Sequence, residues 1–206
     1  GMSPLALFTA DGFFAVMYFQ IHGKISLGLS ETKTKLFRPD SVYGNVVEIG
    51  SGFGDNFLFF SENRINASFT AVEPNAHMQG RLRERIDASG FTATILPMGA
   101  ESALNHIPHG SVDVVISTLT LCSVQSLDLA FDSVYSWLKP GGKLLFIEHL
   151  PARRGSPFRT LQTLIEPLWC ACGGGCHLVR DTLEEMRLIK GFRVGQVNSV
   201  VWANGK

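Results

Sequence analysis

The stretch from Val46 to Asp55 constrains the fold more than any other part of this chain. Its first residues, Val46 to Ile49, form a short apolar run of the kind that predicts a buried strand. Glycines follow at alternate positions from 50 to 54, where the backbone can turn sharply and a ligand can approach it closely. Residues 55–60 then predict the start of a helix. A strand, a glycine turn and a helix open a doubly wound α/β domain, whose ligand crevice lies at the carboxyl ends of the strands.

The details of this turn favour a ligand that has cationic groups and no phosphate. A dinucleotide site has the pattern G-x-G-x-x-G/A and seats a pyrophosphate on the helix N-terminus. Here the third glycine comes one residue early, and the carboxylates of Glu48 and Asp55 would repel phosphate charges. S-adenosylmethionine (SAM) fits, because it combines a ribose and an adenine with an ammonium and a sulfonium. A glycine turn that binds no ligand is the alternative.

The overall charge bears on the partners of the chain. The 206 residues include 18 Lys and Arg and 18 Asp and Glu, and the formal net charge is zero. Without an excess of basic residues, nucleic acid is not expected as a partner. The length suits one domain with a real core. We expect an N-terminal helical segment at residues 1–40, which could act as a lid, and a SAM-binding domain at residues 41–206.

The N-terminal segment is rich in apolar and aromatic residues from Pro4 to Ile21. Asp11 interrupts this run, and a central Asp in a membrane span costs about 3 kcal/mol. We therefore expect one or two amphipathic helical pieces packed on the domain and a soluble, cytoplasmic protein. Association with a membrane surface is the alternative.

Apolar runs and turn signals along the rest of the chain predict the order of the elements. Strands are expected at 68–72, 92–96, 112–117, 143–149 and 192–197, and helices at 30–37, 76–89, 127–138, 156–169 and 181–190. Only residues 200–203 remain for a final antiparallel strand. The pattern predicts a doubly wound, Rossmann-like, mostly parallel sheet with helices on both faces and a last antiparallel strand that is short or missing.

Glu73 follows the second strand, about twenty residues past the glycines, where ribose-binding folds place an acid. A carboxylate there can accept both ribose hydroxyls. A surface acid at a helix N-terminus is the alternative. Met78, in the helix that follows, could contact the adenine, although core packing is the ordinary role of such a residue.

The pattern E-x-G-x-G-x-G, from Glu48 to Gly54, resembles the first motif of the class I SAM-dependent methyltransferases. The runs V-D-V-V-I-S-T from Val112 and L-K-P-G-G-K-L-L-F-I-E-H from Leu138 extend this resemblance, which covers residues 43–150.

Other segments resemble one subgroup, the methyltransferase-like thiol S-methyltransferases, which commonly carry an N-terminal membrane anchor. These segments are Thr120–Val124, Gly142–His149, Glu166–Trp169 and Gly175–Arg180.

The resemblance implies SAM as the methyl donor, S-adenosylhomocysteine as the product, and a small thiol or other sulfur or oxygen nucleophile as the acceptor. The apolar residues expected around the acceptor pocket favour an apolar acceptor. Methylation of a lipid or isoprenoid carbon and SAM binding without turnover are the alternatives. The residues expected to bind the cofactor are Glu48, Gly50, Gly52, Gly54, Asn56, Glu73, Pro74, Met78, Glu101, Ser117 and Thr118.

The acceptor site is expected above the last strands. A thiol acceptor must ionise from a pKa near 8.5, and His149, at the end of the fifth strand, is the candidate catalytic residue that promotes this. A histidine bound to a backbone carbonyl is the alternative. The residues expected to line the pocket are Phe13, Phe14, Tyr18, Cys122 and Trp169. Ordinary core packing is the alternative for the aromatic ones.

The remaining thiols stand close together in the sequence, as C-x-C-x3-C-H from Cys170 to His177. Zinc sites usually show paired C-x2-C or H-x3-H spacings, which this segment lacks. We therefore predict loop or pocket thiols and no metal.

Overall fold

The computed structural model describes residues 9–189 and residue 195. Five parallel strands form one sheet; they are β1 Gly44–Ile49, β2 Ala67–Val72, β3 Ala93–Leu96, β4 Val112–Thr118 and β5 Leu138–Ile147. Their order in the sheet is β3-β2-β1-β4-β5. The winding direction therefore reverses between β1 and β4, and a crevice opens beside the carboxyl ends of these two strands.

Seven helices surround the sheet within the described residues. They are α1 Ala10–Gly28, α2 Ser30–Leu36, α3 Asp55–Glu62, α4 Ala76–Ala88, α5 Leu127–Trp137, α6 Pro157–Cys172 and α7 Thr182–Leu188, and a 3-10 turn spans Ala100–Ser102. Within the described part of the N-terminal segment, α1 continues past Ile21, where the sequence predicted the end of the apolar helical stretch. Among these helices, none combines the length and the apolar character that crossing a membrane requires.

Alternate residues of the central strands enter two separate cores. On one face, Val47 and Val115 pack with Phe131 and Trp137 of α5. On the other face, β1 and β4 contribute Val46, Val114 and Ile116, which pack with Phe57, Phe60 and Leu82 of α3 and α4. Strands that are buried on both faces explain the continuous apolar runs in the sequence. The predicted doubly wound sheet with helices on both faces is confirmed.

The fifth strand differs from the prediction of 143–149. It begins at Leu138, directly after α5, and ends at Ile147. Its register with β4 slips between the pairs Val112–Leu138 and Val114–Lys143, so the Pro-Gly-Gly segment is an irregularity inside the strand and not a loop before it. His149 consequently lies two residues beyond the strand end. The strands predicted at 192–197 and 200–203 lie outside the continuous described range, residues 9–189.

Candidate cofactor and acceptor sites

The glycine loop between β1 and α3 requires glycine for its backbone and for its packing. Gly50, Gly52 and Gly54 all have positive φ values, of 63°, 55° and 79°. A Cβ atom on Gly50 would lie only 2.2 Å from Oγ1 of Thr120. The loop is therefore packed tightly against the segment that follows β4, at the point where the sheet reverses.

Glu73 lies at this loop, as its position in the sequence predicted. Its carboxylate is buried; Oε2 accepts from the backbone N–H of Gly52 at 2.7 Å and Oε1 accepts from that of Asn75 at 2.8 Å. Burial raises the pKa of Glu73, and these two hydrogen bonds oppose the rise. Each carboxylate oxygen can accept a second hydrogen bond, so the group retains the capacity to bind hydroxyls.

Glu48 and Asn56 form a buried polar pair at the start of the crevice. Oε1 of Glu48 accepts from Nδ2 of Asn56 at 2.6 Å, and the same amide nitrogen donates to Oγ1 of Thr118 at 3.0 Å. The other two oxygens, Oε2 of Glu48 and Oδ1 of Asn56, are buried and have no hydrogen-bond partner. Burial raises the pKa of Glu48 to about 7. Two buried acceptors without donors, side by side, are the arrangement expected where a ligand donates.

Lys33 is a member of this site that the sequence analysis missed. Although most residues of α2 are polar, Lys33 is only 3% exposed, and its ammonium donates to Oγ of Ser26 at 3.2 Å. Lys33 lines the same cleft as Glu48 and Asn56. The sequence did contain a signal for this burial. Lys33 lies four residues from both Leu29 and Phe37, which are buried, and residues four apart lie on the same face of a helix.

Helix α1 packs over the glycine loop. The ring of Tyr18 stacks on that of Phe53 at a centroid distance of 5.9 Å. Nδ1 of His22 lies 2.9 Å from Oδ2 of Asp55, and Arg85 of α4 bonds the other oxygen of the same carboxylate. The negative charge of Asp55 is thus paired within the protein. Asp55 also lines the cleft that holds Glu48 and Asn56, but its pairing offsets the charge on which the expected phosphate repulsion rests.

Some of the other residues predicted to bind the cofactor lie away from the polar pair of Glu48 and Asn56. Met78 is buried against Ala15 and Phe53, whereas Pro74 is exposed. Glu101 accepts from the backbone N–H of Gln125 at 2.7 Å and so anchors the loop before α5.

Ser117 is also separated from the polar pair. It pairs with Ile49 in the strand register and therefore lies on the opposite face of the sheet from Glu48.

Three side chains from distant segments meet beyond the ends of β4 and β5. Nε2 of His149 lies 3.2 Å from Sγ of Cys176, and these two atoms and Sγ of Cys122 all lie within 4.8 Å of one another. The hydrogen bond from Cys122, together with His149, lowers the pKa of the Cys176 thiol. Burial lowers the pKa of His149, but Cys176, Glu148 and Glu166 together outweigh this effect, so the net shift is upward. The sequence analysis proposed His149 and Cys122 and did not connect them with Cys176.

A glycine turn after α6 creates this meeting point. Gly175 has a φ of 80°, and a Cβ atom there would lie 3.1 Å from the carbonyl oxygen of Ser123. The next two residues run beside the segment after β4, where the backbone N–H of His177 donates to the carbonyl of Cys122 at 3.0 Å. Glu148 supports the same place, because its carboxylate accepts from the backbone N–H groups of Cys122 and His149.

The consecutive cluster C-x-C-x3-C-H does not form one group. Cys176 faces His149, whereas His177 turns to Glu166, with Nδ1 2.9 Å from Oε1, and approaches Cys170 at 3.8 Å. The structure therefore divides these residues between two places.

The predicted pocket residues surround the triad only in part. Phe14 stacks on Tyr18 at 5.5 Å and contacts Gly174, so α1 reaches the glycine turn after α6. Phe13 and Trp169 are 41% and 42% exposed, which excludes ordinary core packing for both. No residue of α6 is buried, and its exposed apolar residues are Phe158, Leu161, Leu164, Ile165, Leu168 and Trp169.

Comparison with known proteins places the chain in a family. A family model described as "Methyltransferase domain" matches residues 22–197. The chain belongs to the methyltransferase family. This is a family of SAM-dependent enzymes, and the resemblance found in the sequence is confirmed.

Relatives of this methyltransferase include proteins named thiol S-methyltransferases. The chain is similar to thiol S-methyltransferase TMT1B of Rattus norvegicus, at 34% identity over 144 residues, which are 68% of this chain and 57% of that protein. It is also similar to thiol S-methyltransferase TMT1A of Homo sapiens, at 30% identity, covering 67% and 56% of the two chains. The matched region thus spans little more than half the length of these relatives.

A solved structure shares the fold. It is phosphoethanolamine N-methyltransferase 2 of Haemonchus contortus, with a TM-score of 0.62, 20% identity and coverage of 88% of this chain and 40% of that one. At this level of identity the likeness concerns the fold alone.

Proposed function

We propose that this methyltransferase transfers a methyl group from SAM to a small, apolar thiol. The observation that carries the proposal is the pair of unpaired buried acceptors, Oε2 of Glu48 and Oδ1 of Asn56, in a cleft that also holds the buried ammonium of Lys33. Acceptors and a cation in one cleft complement the ammonium and the carboxylate of an amino acid. SAM has such an end, whereas a dinucleotide does not.

The residues present fit SAM at its amino-acid end and at its ribose. Glu48 and Asn56 would accept from the methionine ammonium, and Lys33 would pair with the methionine carboxylate. Glu73, beside the glycine loop, would accept from the ribose hydroxyls. When bound, SAM supplies a methyl group that its sulfonium activates for displacement. The protein then contributes mainly the positioning of donor and acceptor.

Helix α1 would act as the lid of this site. Tyr18 lines the cleft, and the contact between His22 and Asp55 fastens the helix to the start of α3. A cover of this kind excludes water from the reacting atoms. Because α1 also contacts the glycine turn after α6 through Phe14, one helix would border both the donor and the acceptor sides.

A thiol is proposed as the acceptor because the curated relatives are named thiol S-methyltransferases. The groups beyond β4 and β5 agree with an apolar acceptor that must lose a proton. Trp169 and Phe14 supply apolar surface near the triad, and His149 and Cys176 supply polar atoms that can interact with a thiol.

The test is turnover of deuteriomethyl-SAM with an aliphatic thiol, the matched alcohol and an isoprenoid quinol, followed by mass spectrometry. We expect a deuteriomethyl thioether and S-adenosylhomocysteine from the thiol alone. Methylation of a ring carbon of the quinol would identify a carbon methyltransferase instead. SAM binding without any product would identify a protein that binds SAM and does not turn it over.

A further inference from the structure

The triad of Cys122, His149 and Cys176 has the composition of a zinc site. Among the described residues it is the one group of three or more such side chains whose ligand atoms lie close enough to hold a metal ion. Its three members come from three separate loops, so no spacing motif in the sequence predicts the triad. Backbone hydrogen bonds hold these loops together. The N–H of His177 donates to the carbonyl of Cys122, and the N–H groups of Cys122 and His149 donate to the carboxylate of Glu148.

We propose that Cys122, His149 and Cys176 bind one zinc ion whose fourth coordination position takes the acceptor thiol. The second half of this proposal rests on the proposed thiol methyltransferase function, whereas the first half does not. Two cysteines, one histidine and an open position form a recognised type of catalytic zinc site, in which the fourth ligand is water or substrate.

The observed distances fit such an ion. Zinc lies about 2.3 Å from a cysteine sulfur and about 2.0 Å from a histidine nitrogen. A tetrahedral site with these bonds separates its two sulfurs by about 3.8 Å and a sulfur from a nitrogen by about 3.5 Å. Nε2 of His149 and Sγ of Cys176 are 3.2 Å apart, and all three ligand atoms fall within 4.8 Å. Binding would draw the more distant ligand atoms together by up to about 1 Å, which side-chain rotation can supply.

The surroundings also suit a cation. Cys122 is only 2% exposed, and the carboxylate of Glu148 lies against its backbone N–H. Glu148 would be a positioning residue, because it fixes the backbone of two ligand-bearing residues and adds negative charge outside the ligand set.

The ion would activate the acceptor without a separate general base. An acceptor thiol that replaces water on zinc releases its proton to solvent and binds as a thiolate. The thiolate lone pair then forms the bond to the methyl carbon. The bond from that carbon to the sulfonium breaks, and its electron pair remains on sulfur as neutral S-adenosylhomocysteine. The product thioether is a weaker ligand than a thiolate and can leave.

The test is metal binding by the reduced full chain in the absence of SAM. Zinc chloride is titrated against a chromophoric chelator, and cobalt chloride reports thiolate ligation through its charge-transfer absorption. We expect one ion per chain, with affinity at least about 100-fold weaker in Cys122→Ser and in Cys176→Ser. Cys172→Ser is the matched control, because it removes a thiol outside the triad and should bind as the parent does.

A second measurement uses the parent protein and therefore does not depend on whether the cysteine variants fold. In the parent protein, zinc should protect Cys176, but not Cys172, from alkylation as mapped by peptide mass spectrometry. A reduced chain that binds no zinc, or binding that survives loss of both triad thiols, would overturn the proposal. SAM affinity measured on the same samples separates this result from failure of the proposed function, since SAM binding does not involve the triad.

Discussion

The donor and acceptor sides of this crevice are built in different ways. The donor side takes most of its polar groups from residues 48–73, where one strand, one glycine loop and the end of the next strand follow each other directly. The acceptor side takes Cys122, His149 and Cys176 from three loops that only the folded chain brings together. The donor side is consequently fixed by the sheet, whereas the acceptor side depends on how the turn after α6 packs onto it. Substitutions on the donor side should therefore change stability and cofactor binding, whereas substitutions on the acceptor side should change the binding or turnover of the acceptor.

The largest effect is expected from Gly50→Ala on the donor side. The alanine would have to keep a φ of +63°, and its Cβ would lie 2.2 Å from Oγ1 of Thr120. We expect a loss of about 3–6 kcal/mol in the free energy of unfolding, from backbone strain and overpacking together. Gly110→Ala is the matched control, since its φ is +59° and no atom lies within 4 Å of the added Cβ. Equal losses in the two variants, measured by urea denaturation, would show that the loop is not tightly packed.

Two tryptophans test the contrast between core and acceptor side. Trp137 is fully buried, so Trp137→Ala should cost about 3–5 kcal/mol of stability. Trp169 is 42% exposed, and Trp169→Ala should cost much less while it alters the acceptor KM or turnover and leaves SAM affinity unchanged. A large fall in the melting temperature of Trp169→Ala with unchanged acceptor kinetics would contradict its place on the acceptor side.

Glu48 should strengthen SAM binding and, at the same time, lower the stability of the ligand-free protein. Because burial raises its pKa from 4.5 to about 7, unfolding of the ligand-free protein releases a proton between these values. The free energy of unfolding should fall as the pH rises from about 4.5 to 7. Glu48→Gln should remove this slope, stabilise the free protein at pH 8 by up to about 3 kcal/mol, and weaken SAM binding. Denaturation at several pH values checks this, and an unchanged slope in the variant would refute the assignment.

Glu73→Ala should have a smaller effect on binding, together with a loss of stability, because it leaves the backbone N–H groups of Gly52 and Asn75 without their acceptor. Loss of charge-assisted hydrogen bonds to the ribose should weaken SAM binding by about 1–3 kcal/mol in calorimetry. Glu84→Ala, which removes the same charge from the exposed face of α4, serves as the control. Unchanged SAM affinity in Glu73→Ala would remove the ribose assignment, and tighter binding of NADH than of SAM would contradict the cofactor.

The smallest effect is expected on the exposed face of α6. Leu164 is 74% exposed, so Leu164→Ser should change the free energy of unfolding by less than about 0.5 kcal/mol. A cost of several kcal/mol in thermal or chemical denaturation would show that another part of the chain covers this face.

The same contrast explains what the sequence could predict. The strands, the glycine loop and the place of Glu73 were predictable, because each depends on residues that are near neighbours along the chain. Lys33 was missed because a polar helix gave no reason to bury one of its cations, and only its spacing from Leu29 and Phe37 hinted at this. Cys176 could not be paired with His149, since the pairing depends on the packing of Gly175 against Ser123 and on no local pattern.

The central claim is that Glu48, Asn56 and Lys33 form a site for the amino-acid end of SAM, and one comparison tests it most directly. Calorimetry of the unmodified protein would compare S-adenosylhomocysteine with 5′-methylthioadenosine, which keeps the adenine, ribose and sulfur but lacks the amino acid. We predict at least about 100-fold tighter binding of S-adenosylhomocysteine, the equivalent of two charge-assisted hydrogen bonds. Equal affinity for the two compounds would contradict the account.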